Sequence, residues 1–267
     1  MLRAEKLACA RGGRTVLADV SFSLAAGQVL GVLGANGAGK TSLLTTLAGE
    51  LPARSGQVWL GGQPLADFPV TALARRRAVL PQTPSLAFDL SVQEVVAMGA
   101  YPFPDLLPGQ LQPLIARALL LADASALAAR RYPALSGGEQ QRVQFARVLL
   151  QTLAARQAGE YRLLMLDEPT ASLDPRHQLQ LLQGVARLAR EEGVAALLVL
   201  HDVNLAAQWC DQLLLLARGA CVAQGAPAEV LTPQNLARVY DLPAQVLPHP
   251  WLPDTPLVLF PASLEPC

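Results

Sequence analysis

The sequence predicts an α/β fold built on a mostly parallel sheet, and three stretches carry that reading. Residues 29–48, VLGVLGANGAGKTSLLTTLA, read as an apolar strand, a glycine-rich loop and a helix. Residues 163–168, LLMLDE, read as a second buried strand that ends in two acids. From there strand and helix patterns alternate through Leu216. Alternation of that kind belongs to parallel strands covered by helices on both faces.

Composition sets the outer limits. A chain of 267 residues fits one large domain, or one domain with a small appendage, and 52% hydrophobic content is ample for a core. The 21 basic residues are matched by 21 acidic ones, which argues against nucleic acid as a partner held by a general basic field. Cys9, Cys210, Cys221 and Cys267 lie far apart with no C-x-x-C. They read as reduced thiols of a cytosolic protein, not as a disulfide frame or zinc site. The charged start, MLRAE, is followed by no apolar run of the signal-peptide kind. No stretch reaches the roughly 18 apolar residues of a membrane span. Association with a membrane is therefore expected through a partner.

Taken in order, Leu2–Cys9 and Thr15–Leu24 read as strands, with turns at Gly12-Gly13 and Ala26-Gly27. The strand Val29–Leu33 breaks into Gly34, Ala35, Asn36, Gly37, Ala38 and Gly39, then into Lys40, Thr41, Ser42 and the helical run Leu43–Ala48. This is the P-loop pattern G-x-x-x-x-G-K-[ST] in its strand–loop–helix setting. Its glycines let successive N–H groups converge on phosphate oxygens, and the helix start adds the positive end of its dipole. Lys40 is expected to reach the β- and γ-phosphates of a nucleotide, and the Thr41 hydroxyl to ligate Mg²⁺.

Gly56–Leu60 reads as a strand before Gly61-Gly62. Arg75, Arg76 and Arg77 precede a short strand, Ala78–Leu80, and then Pro81-Gln82. The three arginines read either as a solvated helix face or as a contact for lipid headgroups or a partner. Residues 83–134 change character, with prolines at 84, 102, 104, 108 and 113 between short helical patterns. Ser91 and Glu94 form a capping box there, and Leu111–Ala122 is a second helix. After Leu163–Leu166 come a helix over Pro175–Arg190 capped by Asp174, a strand over Val194–Leu200, a helix over Leu205–Trp209 and a strand over Gln212–Leu216. From Pro243 to Pro266 the chain is proline-rich and is expected to lie extended on the surface.

Two further stretches bear on chemistry. In a sheet buried on both faces a carboxylate is tolerated only at a strand end, where ligands bind. Asp167 there suits Mg²⁺, and Glu168 suits polarising the water that attacks a γ-phosphate. Residues 135–140, LSGGEQ, open a long helix through Leu153, with Ser136 and Glu139 as a capping box. Gly137 and Gly138 directly after the cap cost helix stability and gain close backbone approach. That makes a second anion site at a bare helix start.

Together these residues resemble the ATP-binding cassette family from the P-loop through His201, and LSGGEQ is that family's signature. A nucleotide kinase would share the P-loop but would have no use for LSGGEQ. The resemblance implies a P-loop NTPase cassette over residues 1–242. Within it are expected an antiparallel N-terminal β region and a helical subdomain over about 83–153, with a proline-rich tail over 243–267. It implies a head-to-tail homodimer with two ATP molecules at the interface. Each is held by the P-loop of one subunit and by Ser136, Gly137, Gly138 and Glu139 of the other. Gln82 falls at the position that touches Mg²⁺, Ser172-Leu173-Asp174 at the loop that crosses to the other subunit, and His201 at the histidine that holds the γ-phosphate and orients Glu168. His177 and His249 read as ordinary residues. Arg11 stands where the family usually has an aromatic residue on adenine, and a guanidinium plane can stack on a base.

A single cassette with an apolar-rich stretch from Leu86 to Tyr101 resembles an importer ATPase that receives a permease's coupling helix. The helix SGGEQQRVQFARVLLQ, the long link to Asp167 and the tail around His249 resemble the haem-importing branch. Ferric-siderophore and cobalamin importers share the architecture, and iron–sulfur assembly ATPases are more distant. The partners implied are a two-subunit permease and, indirectly, a periplasmic haem-binding protein. The place implied is the cytoplasmic face of the inner membrane.

Overall fold

A computed structural model describes residues 1–83, 86, 88–157 and 159–261. The predicted turn proline Pro84, the end of the tail and Cys267 lie outside the described residues. The chain opens with β1 (Leu2–Arg11) and β2 (Arg14–Leu24), a hairpin across Gly12-Gly13, then β3 (Val29–Gly34) and α1 (Lys40–Leu47). β4 (Ser55–Leu60) and β5 (Gln63–Pro64) complete a four-stranded antiparallel sheet, ordered β2-β1-β4-β5. α2 (Val70–Arg76) leads into β6 (Arg77–Leu80). The helical insertion follows as α3 (Val92–Ala97), α4 (Pro108–Leu121) and α5 (Gly137–Leu153). Then come β7 (Leu163–Asp167), α6 (Pro175–Glu192), β8 (Ala195–Val199), α7 (Val203–Trp209) and β9 (Gln212–Ala217). β10 (Ala220–Gly225), α8 (Pro227–Val230), α9 (Pro233–Tyr240), β11 (Gln245–Pro248) and β12 (Pro256–Leu259) end it.

The main sheet has six strands in the order β10-β9-β3-β8-β7-β6. The five from β9 to β6 run parallel, and β10 is an antiparallel edge. β3, β7 and β8 are buried at every residue, as strands covered on both faces must be. The sheet divides two cores. Leu43, Leu44 and Leu47 of α1 pack with Leu163, Met165 and Leu197 and with the leucines of the antiparallel sheet. On the other face Phe145 and Leu149 of α5, with residues of α3, α4, α6 and α7, cover Leu164, Leu166 and Leu198. Helices α1 and α5 therefore stand on opposite faces of one sheet.

Two regions depart from the sequence reading. The three arginines serve the chain itself. Arg75 donates to the Pro102 carbonyl at 2.6 Å and lies over the Phe103 ring, Arg76 pairs with Glu160 at 3.1 Å, and Arg77 opens β6. Arg75 ties α2 to the helical insertion, and Arg76 ties it to the segment that leads into β7. The tail, expected as extended surface chain, forms an antiparallel hairpin of β11 and β12 whose Val258 is buried in the main core. Its prolines are tolerated because Pro248 and Pro256 face each other at the last pair, where a missing N–H breaks no longer ladder. Among the described residues Cys9, Cys210 and Cys221 are free, and no helix is long and apolar enough to cross a membrane.

Candidate active site

The P-loop joins the buried strand β3 to α1. A Cβ on Gly34 would run into the Leu216 carbonyl, so β9 presses directly on the loop's first residue. Gly39, the residue before α1, has φ +103°, and a Cβ there would lie 2.7 Å from the Val16 carbonyl. Conformation and space both require glycine at that point. Asn36 and Gly37 face solvent, and Ser42 is buried in the first turn of α1. The turn after β9 props the loop from behind: Gly219 donates to the Ala38 carbonyl at 3.1 Å and accepts from Ala18 at 2.8 Å. The sequence reading passed over this turn, although Gly219 between two apolar runs is a turn signal.

No side chain caps α1, and no acid lies in its first turn, so its leading N–H groups stay available. Lys40 folds back over the loop, donating to the carbonyls of Gly34 at 2.7 Å and Ala35 at 3.2 Å. Burial lowers its pKa, and the nearby carboxylates of Glu168 and Asp167 act against that shift.

β7 delivers the two acids beside α1. Asp167 is 2% exposed, and its Oδ1 has no hydrogen-bond partner. Burial raises its pKa, while a hydrogen bond from Thr41 works the other way. Glu168 takes a left-handed backbone, φ +51°, and its N–H donates to the Val199 carbonyl at 3.1 Å. Non-glycine residues in that region carry strain and cluster where chemistry is done. The Glu168 carboxylate closes a three-residue constellation. Its Oε2 accepts from Gln82 Nε2 at 2.6 Å, and its Oε1 lies 2.6 Å from His201 Nε2. Gln82 arrives just after β6 and His201 just after β8, the two strands that flank β7. The neighbouring ends of three parallel strands thus bring together residues from three distant stretches.

The second helix start is built differently. Ser136 caps α5, its hydroxyl accepting from the Glu139 N–H, while Glu139 accepts from the Ser136 N–H at 2.8 Å. Glu139 also pairs with Arg130 at 2.7 Å, and the hydrogen bond from the Ser136 backbone lowers its pKa. Its carboxylate is thus occupied by the cap. Gly137 has open space where a Cβ would stand, and Gly138 lies against the Ser172 carbonyl. Ser136, Gly138, Ser172, Asp174 and His177 line a cleft of about 110 Å³. Asp174 caps α6 by accepting from the His177 N–H at 3.0 Å, and its other oxygen lies 2.7 Å from His177 Nδ1. His177, read as ordinary, belongs to this cleft; its position three residues after the capping aspartate was the available signal. Arg11 is exposed at the end of β1 opposite Arg14, and no hydrogen bond among the described residues ties it to the P-loop.

Comparison with known proteins agrees with this geometry. The family model described as "ABC transporter" matches residues 17–171, more than half the chain. The chain belongs to the ABC transporter family. Like other ATPases of the ABC transporter family it binds and hydrolyses ATP. The hemin import ATP-binding protein HmuV of Bordetella parapertussis is 58% identical over 258 residues, covering 97% of this chain and 98% of that one. The protein of the same name from Pseudomonas fluorescens is 50% identical over 252 residues, covering 94% and 96%. Among solved structures, an ATP-binding subunit of an ABC transporter superposes with TM-score 0.75 at 26% identity, covering 86% of this chain and 91% of that one. The expected ABC cassette fold, with its N-terminal antiparallel sheet, is the fold observed.

Proposed function

We propose that this ABC transporter ATPase energises haem import, working as one of two identical subunits on the cytoplasmic face of a two-subunit inner-membrane permease that a periplasmic haem-binding protein supplies. The observation that carries the chemistry is Glu168, held between Gln82 and His201 beside the P-loop. Likeness to the hemin import proteins over nearly the whole chain favours haem as the cargo over siderophores or cobalamin.

The residues fit a magnesium nucleotide. Asp167 Oδ1, buried and unpartnered, the Thr41 hydroxyl and the Gln82 amide form an oxygen-rich donor set that would hold Mg²⁺. When bound, the ion neutralises charge on the β- and γ-phosphate oxygens. Lys40 leaves the loop carbonyls for those oxygens, and the N–H groups of residues 35–42 cradle them. Arg11 is the candidate for stacking on adenine.

Both oxygens of Glu168 are engaged by side chains, Oε2 by Gln82 and Oε1 by His201, so its carboxylate is held in place beside the P-loop. Gln82 would supply its amide oxygen to the ion and His201 would supply Nε2 to the γ-phosphate, each from its present place against the Glu168 carboxylate. Glu168 then orients the attacking water and takes its proton. Because α1 and α5 stand on opposite faces of the sheet, the Ser136 helix start that completes a site comes from the second subunit, together with Gly137, Gly138, Glu139 and the Asp174 loop.

The test uses a strain lacking this gene, with haem as the sole iron source. The wild-type gene should restore growth and Glu168→Gln should not. Purified Glu168→Gln should still bind ATP while kcat falls by about 10²–10⁴-fold. Wild-type turnover by the variant sinks the role given to Glu168. Undiminished growth on haem with lost siderophore or cobalamin uptake moves the cargo to those alternatives.

A further inference from the structure

The C-terminal hairpin meets α7, the helix that follows His201, through Asn204, with Gln208 Nε2 and His249 Nε2 also 3.4 Å apart. His201 is followed by Asp202, which caps α7 by accepting from the N–H groups of Asn204 at 2.8 Å and Leu205 at 3.0 Å. Helix α7 has only seven residues, too few to be stable alone. Its position must come from what packs on it. Asn204, three residues after His201, binds both backbone groups of one residue in β12. Its Oδ1 accepts from the Val258 N–H at 2.8 Å, and its Nδ2 donates to the Val258 carbonyl at 3.1 Å. The amide thus takes the place of a neighbouring strand, fixing Val258 and α7 relative to each other. Val258 is 2% exposed, so the far end of this link is anchored in the core.

A second contact runs from the same region to the P-loop. Phe260, just past β12, meets the Tyr240 ring edge-on at 5.8 Å. The buried Tyr240 hydroxyl faces the backbone of Gly34 without a well-formed partner. The hairpin thus holds α7 directly, and the residue just past it packs on a tyrosine whose hydroxyl faces the first residue of the P-loop. His201 itself is 48% exposed, and among the described residues its one ion-pair partner is Glu168. Among the described residues no other hydrogen bond or ion pair fixes its side chain.

We propose that the C-terminal hairpin is a clip that sets the position of His201, with Asn204 as the positioning residue through which it acts. This rests on the proposed role of His201 in hydrolysis. In the clipped state α7 holds His201 within reach of Glu168 and of an incoming γ-phosphate. With the clip broken, α7 shifts and the histidine loses register with the nucleotide, while the P-loop goes on binding ATP.

The test is ATP turnover by full-length Asn204→Ala, alone and combined with His201→Ala. Asn204→Ala should lower kcat by about tenfold to a hundredfold, the scale of a small misplacement of a reacting group. KM for ATP should stay within about twofold. Asn204→Asp, which still accepts from Val258 N–H but cannot donate to its carbonyl, should fall between. On a His201→Ala background, Asn204→Ala should change nothing further. An equal loss on both backgrounds, or wild-type kcat with only a lowered unfolding midpoint, overturns the clip. If His201→Ala alone leaves turnover intact, the role of His201 fails first, and the two failures are thereby told apart.

Discussion

The two helix starts proposed to face phosphate are made in opposite ways. α1 begins at a left-handed glycine with no side-chain cap, and its one cation folds back on the loop's own carbonyls. α5 begins at a complete capping box, with a serine and a glutamate bound reciprocally and an arginine behind the glutamate. The first is an open cradle whose donors wait for a ligand. The second has its frame already satisfied and presents only bare backbone at Gly137 and Gly138. A site that must bind nucleotide alone needs unspent donors and a charge. A surface that closes on a nucleotide already bound needs rigidity and close approach.

Three substitutions break or sharpen that contrast. The largest effect is expected from Gly39→Ala, which forces a Cβ onto the Val16 carbonyl at an unfavourable φ. It should destabilise the chain by about 1–3 kcal/mol and abolish binding of a fluorescent ATP analogue by the separate subunit. Retained affinity would show that the cradle tolerates another shape. Ser136→Ala should leave that binding unchanged, cost about 1 kcal/mol of stability through the lost cap, and reduce hydrolysis by about a hundredfold, as loss of one preorganised donor does. Equal losses of binding and hydrolysis would place Ser136 on the same nucleotide as its own P-loop. The smallest effect belongs to Gly137→Ala. Its Cβ meets nothing within 4 Å, so thermal unfolding should rise by up to about 1 kcal/mol, while turnover falls as the methyl stands where phosphate would approach. Unchanged turnover would mean that no ligand comes that close.

The difference between the two starts was legible because both are local. Gly39 and Lys40 are adjacent, and Ser136 and Glu139 lie three residues apart, within the reach of one helical turn. Asp174-Pro175 announced α6 in the same way. Closure of the catalytic cluster was not legible from spacing, since Gln82 and Glu168 are 86 residues apart. Only the order of β6, β7 and β8 in the sheet makes them neighbours, and that order is fixed by packing on both faces. The last third of the cassette was underread for other reasons. Thr232-Pro233 opens α9 with the same cap-and-proline signal as Asp174-Pro175, but the helix is only eight residues long. The prolines bounding β11 and β12 hid a hairpin, because they fall at pairing positions that need no donor. Asn204 gave no signal at all, since its two bonds go to backbone atoms of a residue whose side chain is unremarkable in sequence.

The uniform burial of β7 has a consequence for where its acids stand. A strand with one wet face is held in register by alternation, because slipping one residue turns its apolar side outwards. β7 is apolar on both faces, with Leu163 and Met165 in one core and Leu164 and Leu166 in the other, so alternation offers no such restraint. What brackets the run is charge: Arg162, bound to Glu160 at 2.8 Å, at one end, and Asp167 at the other. A slip of one residue, about 3.3 Å, would drag one or other of them into hydrocarbon. The carboxylate proposed for the metal ion therefore acts as an end-stop, and the strand measures out the position of Glu168 against it.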